Sequence, residues 1–457
     1  MQKTDIILIF DIGKTNKKVL LFNRHLKIIK EEEVQFPEIT DDDGFPCDDI
    51  VSIEKWIDKT LERFVNDRAY NIVAVNFTTY GATLGFLDQN GKRITPVYNY
   101  LKPMPEGTLE PLYSRYEGIS EFSRRTASPA LGFLNSGLQI LWLKKLKPGV
   151  FNKVNNILHL PQYLSYRHTG KIVSEHTSIG CHTAMWDFDR MEYHQWLRDE
   201  GIVLPAPIAT DTVYETKISG RNVKTGIGIH DSSASLVPYL KGSKDEFILL
   251  STGTWCINMN PFNYAPLTSY QLENDSLCYM SVNQKPVKSS RVFLGHIHDV
   301  NSERLCQLFK VDNNYYKNIK PDKELINKLH RENNPDAEFF RNRVPVDYVD
   351  TKINSGRFSN FTEAYHRLMI DLTRLVVESI NLIVAENDKT SSVYISGGFA
   401  RNELFTGLLA DKFRDKKVYT SKIDNATSLG AALVVSKQLG LKSEPELDLD
   451  LKEIRPL

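Results

Sequence analysis

The stretch "IILIFDIGKTNKKVLLFN", Ile6 to Asn23, contains Gly-Lys-Thr, the three letters that close a phosphate-binding P-loop. A P-loop also needs a Gly five positions before its Gly-Lys, so that backbone amides can curl round the phosphates. Leu8 occupies that position. The residues after the motif should open a helix whose N-terminus faces the anion, yet "KKVLLFN" is a short apolar run with strand character. The P-loop reading fails, and strand, tight polar turn, strand remains. Such a turn has its own chemistry. Asp11 can hold a hydrated metal ion, Gly13 lets backbone amides approach closely, and Thr15, Asn16 and Lys18 can donate to phosphate.

Outward from this turn, a chain of 457 residues exceeds what one hydrophobic core usually supports, so two or three domains are expected. Lys plus Arg equals Asp plus Glu at 57 each, and no long block of one sign occurs. Neither nucleic acid nor a membrane surface is expected as a partner. The five cysteines are scattered and never form a close C-x-x-C pair, against a disulfide framework or zinc ribbon and in keeping with a reducing compartment. The first apolar run is too short for a signal peptide or a span, so the expected location is cytoplasmic.

A first α/β region runs through an expected helix, "IVSIEKWIDKTLERFV", to a strand pair, "NIVAVNFTTYGATLGFLDQNGKRITPV", turning at "DQNGK". From "SEFSRRTAS" to about Leu204 the pattern is richer in helix. "SGLQILWLKKL" has helical spacing, and "LPQYLSYRHTGK" reads as a helix stopped by Gly170. Then "EFILLSTGTWCINMNP" repeats the opening pattern of strand, small polar turn with Gly253, and strand. The recurrence predicts two lobes, each opening with a phosphate-sized turn, and a hinge at Tyr239 to Asp245. In the second lobe a long amphipathic helix, "FTEAYHRLMIDLTRLVVESINLIVAEND", leads into "SSVYISGGFARNELFTGLLAD", a buried strand, a glycine turn and a helix starting near Asn402. "NATSLGAALVVSKQLG" reads as a small-residue helix suited to close packing.

Four separated pieces resemble, in order, the motifs of the FGGY sugar kinases within the actin-like superfamily. "DIGKTNKK" resembles the first phosphate motif, "HDSSAS" the segment with the catalytic aspartate, "STGTW" the second phosphate motif, and "SGGFARN" the adenosine motif. "FTTYGATLGFLDQNGKRITP", "LNSGLQILWLKKLKP", "LPQYLSYRHTGKIVSEHTS" and "NATSLGAAL" extend the likeness over most of the chain. The His-Asp pair and the Thr-Tyr-Gly turn are most similar to L-fuculose and L-rhamnulose kinases. Three features depart from the pattern: Lys14 where a small residue is usual, Phe399 in place of a third glycine, and the segment from about Ser302 to Asn360. Lys14 could add a phosphate donor, and Phe399 could narrow the purine slot.

The resemblance implies an α/β fold of two actin-like, ribonuclease H-like lobes with an interlobe cleft, residues 1–241 and 242–457. It implies ATP and Mg2+ as cofactors, a small sugar as substrate, and allows a homodimer. By residue type alone Asp231 serves equally as an N-cap for a helix at "SSASL" and as a base; the resemblance implies the base. It places Asp11 on the metal, with Gly13, Thr15, Asn16, Lys18, Gly253 and Thr254 on the phosphates. Gly397, Gly398 and Asn402 would meet the nucleoside, and Thr79, Tyr80, His230 and Asp231 the sugar. Glu175 is expected to be a solvated surface carboxylate and Trp255 a core residue. In "GHIHD", His296 and His298 would share a strand face, but no third ligand stands nearby to make a metal site. The expected reaction is phosphorylation of a 6-deoxy-L-ketose such as L-fuculose or L-rhamnulose. Xylulose, ribulose or glycerol phosphorylation, sugar binding without transfer, and an actin-like ATPase driving a partner are the rivals.

Overall fold

Thr4–Ile12 (β1) is buried on both faces after its first two residues, which requires layers above and below it. The computed structural model, which describes residues 3–332, 339, 357–440 and 447–457, supplies both. β1 pairs antiparallel with Lys17–Asn23 (β2), which continues into Ile28–Val34 (β3). Helix Ile50–Asn66 (α1) then returns the chain to Tyr70–Thr79 (β4), parallel to β1. Asp49 caps α1 by accepting from the Ser52 amide, and an apolar stripe from Ile53 to Phe64 faces the sheet. Helices Leu160–Thr169 (α2) and His176–Ile179 (α3) follow, with Gly170 in the left-handed conformation that ends α2. Strands Val213–Ile218 (β5) and Arg221–Gly226 (β6) complete the order β5-β6-β4-β1-β2-β3, and the short strand Ile229–His230 (β7) joins the end of β4.

Asp231–Gly242 (α4) leads to the second sheet. Phe247–Thr252 (β8) turns into antiparallel Cys256–Asn260 (β9), followed by Ser276–Met280 (β10) and Pro286–Val292 (β11). After helices Leu294–Phe309 (α5) and Phe361–Asn381 (α6), Ser392–Gly397 (β12) lies parallel to β8. Glu403–Lys412 (α7), Lys417–Ser421 (β13), Ala426–Val434 (α8) and Leu451–Ile454 (β14) finish the chain. The order is β10-β11-β9-β8-β12-β13-β14. Each sheet is therefore centred on the same unit: a hairpin whose first strand has a parallel neighbour. Both polar turns lie at the end of that first strand.

Helices α4 and α8 join the two sheets. Ala234 and Val237 of α4 pack with Ala431, Leu433 and Val434 of α8 against β1 and β2. Leu236 and Tyr239, on the other side of α4, pack with Phe247, Leu249 and Tyr394 of the second sheet. Small residues in α8 permit this close approach, as their pattern predicts. No helix among the described residues is long and apolar enough to cross a membrane.

Several expectations are corrected. Tyr239 and Gly242, two of the seven residues of the expected hinge, are packed: Tyr239 is 1% exposed and bonds Ser421, and Gly242 lies against Leu449. "DQNGK" does turn, but its return arm is a single bridge, Leu87 to Arg93, while Leu84–Leu87 pairs with Asn156–His159. His296 and His298 lie on α5 rather than a strand, where positions two apart point about 200° away from each other. Trp255 is not core; it is 38% exposed and stacks on Phe293, which stacks on His296. Glu175 is not solvated but wholly buried. Residues 333–338 and 340–356 of the divergent segment lie outside the described residues.

Candidate active site

The first turn closes when the Gly13 amide donates to the Asn16 carbonyl at 2.9 Å. Thr15 is exposed at its tip, and the Asn16 side chain takes a bond from Gln35. Lys18 reaches Glu31 at 2.8 Å and Asn425, beside α8, at 3.2 Å. Lys14 turns away from the tip. Its ammonium lies 2.8 Å from Asp48 and 3.1 Å from Glu38, so the expected extra phosphate donor is a structural cation here.

Asp48, which sequence reasoning missed, gathers three donors: Lys14, the buried Lys17 at 3.0 Å, and the Tyr80 hydroxyl at 2.6 Å. Burial opposes its ionisation, but the Lys14 and Tyr80 hydrogen bonds and the lysine charges hold its carboxyl below the ordinary range. Nothing in "CDDI" distinguishes this residue from the neighbouring helix cap Asp49. Thr79 is likewise engaged, its hydroxyl bonded to the Tyr80 carbonyl. Both predicted sugar contacts are thus hydrogen-bonded within the floor of the site.

Register brings the reactive groups together. Asp11 and Ile12 end β1 opposite Thr78 and Thr79 of β4, and Thr79 in turn pairs with His230 of β7. Asp231 follows as the first residue of α4, where its carboxylate accepts from the adjacent Ser232 amide instead of capping from the preceding position. Burial raises Asp231 to about 6, and the hydrogen bonds from Ser232 oppose it. Asp11 is also raised to about 6, by burial first; the Ser428 hydrogen bond lowers it and the charge of Asp231 raises it again. Asp11 therefore senses the charge of Asp231. His230 is buried and pushed down to about 4, hence neutral at pH 7, with no partner at Nδ1 among the described residues. Its Nε2 is 3.5 Å from Asp231, and its ring fills the space beside Gly81, where an added Cβ would approach Nε2 to 2.6 Å.

His182, unsignalled by "GCHTAM", also borders this group. Its backbone is left-handed at φ 40°, its Nδ1 lies 3.3 Å from the Leu134 carbonyl, and burial pushes its imidazole down to about 4. In the second lobe the Gly253 amide bonds the Trp255 carbonyl, leaving Thr254 exposed, and the Gly295 amide at the start of α5 bonds the Thr254 carbonyl. Gly397 adopts φ 85° so close to Thr252 that a Cβ would lie 1.9 Å from its carbonyl oxygen. Gly398 is exposed, and the Phe399 amide donates to the Thr252 hydroxyl. The turn at Gly253 and the loop at Gly397 and Gly398 are thereby tied directly. Phe399 does not fill the slot but packs edge-on against His298 and Phe405. Asn402 caps α7 through Oδ1 and bonds Tyr365 through Nδ2, so its amide shapes the loop.

Hard carboxylate oxygens at Asp11 and Asp231, with no Cys or His among the groups that bond Asp11, fit a hydrated Mg2+.

Residues 6–227 match the FGGY family of carbohydrate kinases, N-terminal domain. A rhamnulokinase from Pectobacterium atrosepticum is 24% identical over 59% of this chain and 56% of its own length. One from Halalkalibacterium halodurans is 22% identical over 94% of this chain and 93% of its own. The crystal structure of a carbohydrate kinase from Novosphingobium aromaticivorans superposes with a TM-score of 0.80 at 24% identity, over 100% of this chain and 95% of that one. A ligand-bound xylulose kinase from Lactobacillus acidophilus gives 0.75 at 16%, over 99% and 94%. The fold is the two-lobed, actin-like one of these kinases, and residues 6–227 of the chain match the N-terminal domain of the FGGY family of carbohydrate kinases.

Proposed function

We propose that the protein transfers the γ-phosphoryl group of ATP to the terminal hydroxyl beside the ketone of a 6-deoxy-L-ketose such as L-fuculose or L-rhamnulose, in the cytoplasm. The observation that carries this is the approach of Asp11 and Asp231, two carboxylates raised to about 6, one at the end of β1 and one directly after β7, the two strands that flank the end of β4. A base with a pKa near the working pH can both hold and release the hydroxyl proton. Asp231 takes that role, and neutral His230 beside it offers the sugar a hydrogen-bonding imidazole. Thr79 and Tyr80 form the floor beneath.

Asp11 would hold Mg2+, whose chemistry is to neutralise charge on the bridging phosphates. Gly13, Thr15, Asn16 and Lys18 of one lobe, taken as residues 1–241, and Gly253 and Thr254 of the other, residues 242–457, would bind those phosphates. Gly397 and Gly398 leave room for the nucleoside. The rhamnulokinase relatives support the deoxyketose, while the xylulose kinase shares only the fold. Kinetics across fuculose, rhamnulose, xylulose, ribulose and glycerol, ranked by kcat/KM from ADP release, test the reading. Activity on glycerol or a pentulose alone overturns the deoxyketose; sugar binding without ADP release overturns the kinase; sugar-independent release points to an ATPase.

A further inference from the structure

Glu175 has none of its surface exposed, and the chemistry above does not use it. Its carboxylate accepts from the Thr177 amide at 2.7 Å, the Ser178 amide at 2.6 Å, the Thr177 hydroxyl at 2.6 Å and the Thr210 hydroxyl at 3.2 Å. Capping the short helix α3 accounts for the two amide bonds. The Thr177 hydroxyl does something more. While donating to Glu175, it accepts the backbone amide of His230 at 3.1 Å. A hydroxyl carries one proton, so a carboxylate that takes it obliges the oxygen to present a lone pair elsewhere. His230 receives that lone pair on one flank, pairs with Thr79 on another, and rests its ring against Gly81. The next residue is Asp231.

We propose that Glu175, acting through the Thr177 hydroxyl, is a positioning residue that fixes the Ile229–His230 peptide and so aims the carboxylate of Asp231, the residue that follows. The role rests on the reading of Asp231 as the base. A Glu175→Gln change would reverse one hydrogen bond inside the cap and could unfold α3, so Thr177→Val is the sharper variant: it keeps the shape and both capping amide bonds. Thr177→Ser restores the hydroxyl.

The experiment reads amide hydrogen exchange at His230 and Ser178 together with sugar-dependent ADP release. Thr177→Val should speed exchange at His230 while Ser178 stays protected. It should also lower kcat by roughly ten- to a hundredfold with KM for ATP unchanged, as small misplacements of a reacting group do; Thr177→Ser should return both to the native values. Native exchange at His230 and native kcat in the valine variant overturn the proposal, as does a loss explained wholly by a smaller folded fraction. If the exchange result holds but the native protein releases no ADP with any ketose, the positional link stands and the kinase reading falls.

Discussion

The Ser428 hydroxyl donates to Asp11 Oδ2 at 2.6 Å, a bond across 417 residues that ties the N-terminal end of α8 to the end of β1. It is also the main interaction opposing the burial that raises Asp11. Removing it in Ser428→Ala should lift the Asp11 pKa further above about 6, by about one unit for a hydrogen bond to a charged group. Asp11 must be ionised to hold a cation, so the acidic limb of kcat/KM for ATP should move to higher pH. A profile measured from pH 5 to 8 checks this; an unmoved limb removes Asp11 from the metal.

Asp231→Asn should lower kcat by roughly 10² to 10⁴ and leave ADP binding intact, since a positioned base contributes about that much. Stability should move the other way. The folded-state pKa of about 6 stands above the ordinary 3.8, so the folded protein binds the Asp231 proton more tightly than the unfolded chain does. Stability from this group is therefore complete below about pH 4 and is lost as pH rises through about 6. The asparagine variant escapes that loss and should melt higher than the native protein at pH 7.5, but not at pH 4. Paired thermal melts at the two pH values decide it; an equal or lower Tm at pH 7.5 contradicts the burial of the charge.

What could be read from the sequence divides along physical lines. The hairpins at Gly13 and Gly253, the stop at Gly170 and the small-residue helix at Ser428 to Ala432 follow from short-range chemistry, so their letters suffice. Glu175, Trp255 and Asp48 escape such a reading because their environments come from partners well separated in the chain. Thr210 and His230 enclose the Glu175 cap, Trp255 stacks on Phe293 at the start of α5, and two lysines and a tyrosine make Asp48 a hub. Two histidines two positions apart cannot tell a period of 2 from one of 3.6, so the spacing of His296 and His298 suits a strand as well as the helix they occupy.

Phe399→Gly should destabilise rather than improve nucleotide binding. The ring packs against His298 and Phe405 at the edge of the second core, so its loss resembles a partial Phe truncation of about 1 to 3 kcal/mol. ATP and GTP affinities should stay within about twofold of native, well under the 1.4 kcal/mol that a tenfold change requires. Denaturant melts and calorimetric titration check both halves. Several-fold tighter ATP without loss of stability would return the ring to the purine slot.

The Asp48 hub yields a ranking of three variants. In Lys14→Ala, Asp48 keeps Lys17 and Tyr80, and because Lys14 faces Asp48 and Glu38, KM for ATP should stay within about twofold of native. Tyr80→Phe removes a neutral donor from a carboxylate still held by two lysines, a cost of about 1 kcal/mol. KM for the sugar should change little, since that hydroxyl is engaged in the floor. Asp48→Ala is different in kind: Lys17, 1% exposed, would be left a buried cation bonded only to the Lys14 carbonyl. Breaking a buried pair from one side costs about 3 to 5 kcal/mol, a large share of the stability of most domains. Urea melts should therefore place Asp48→Ala far below the other two. A sugar KM that rises tenfold in Tyr80→Phe would instead mean that the tyrosine hydroxyl leaves Asp48 for the substrate.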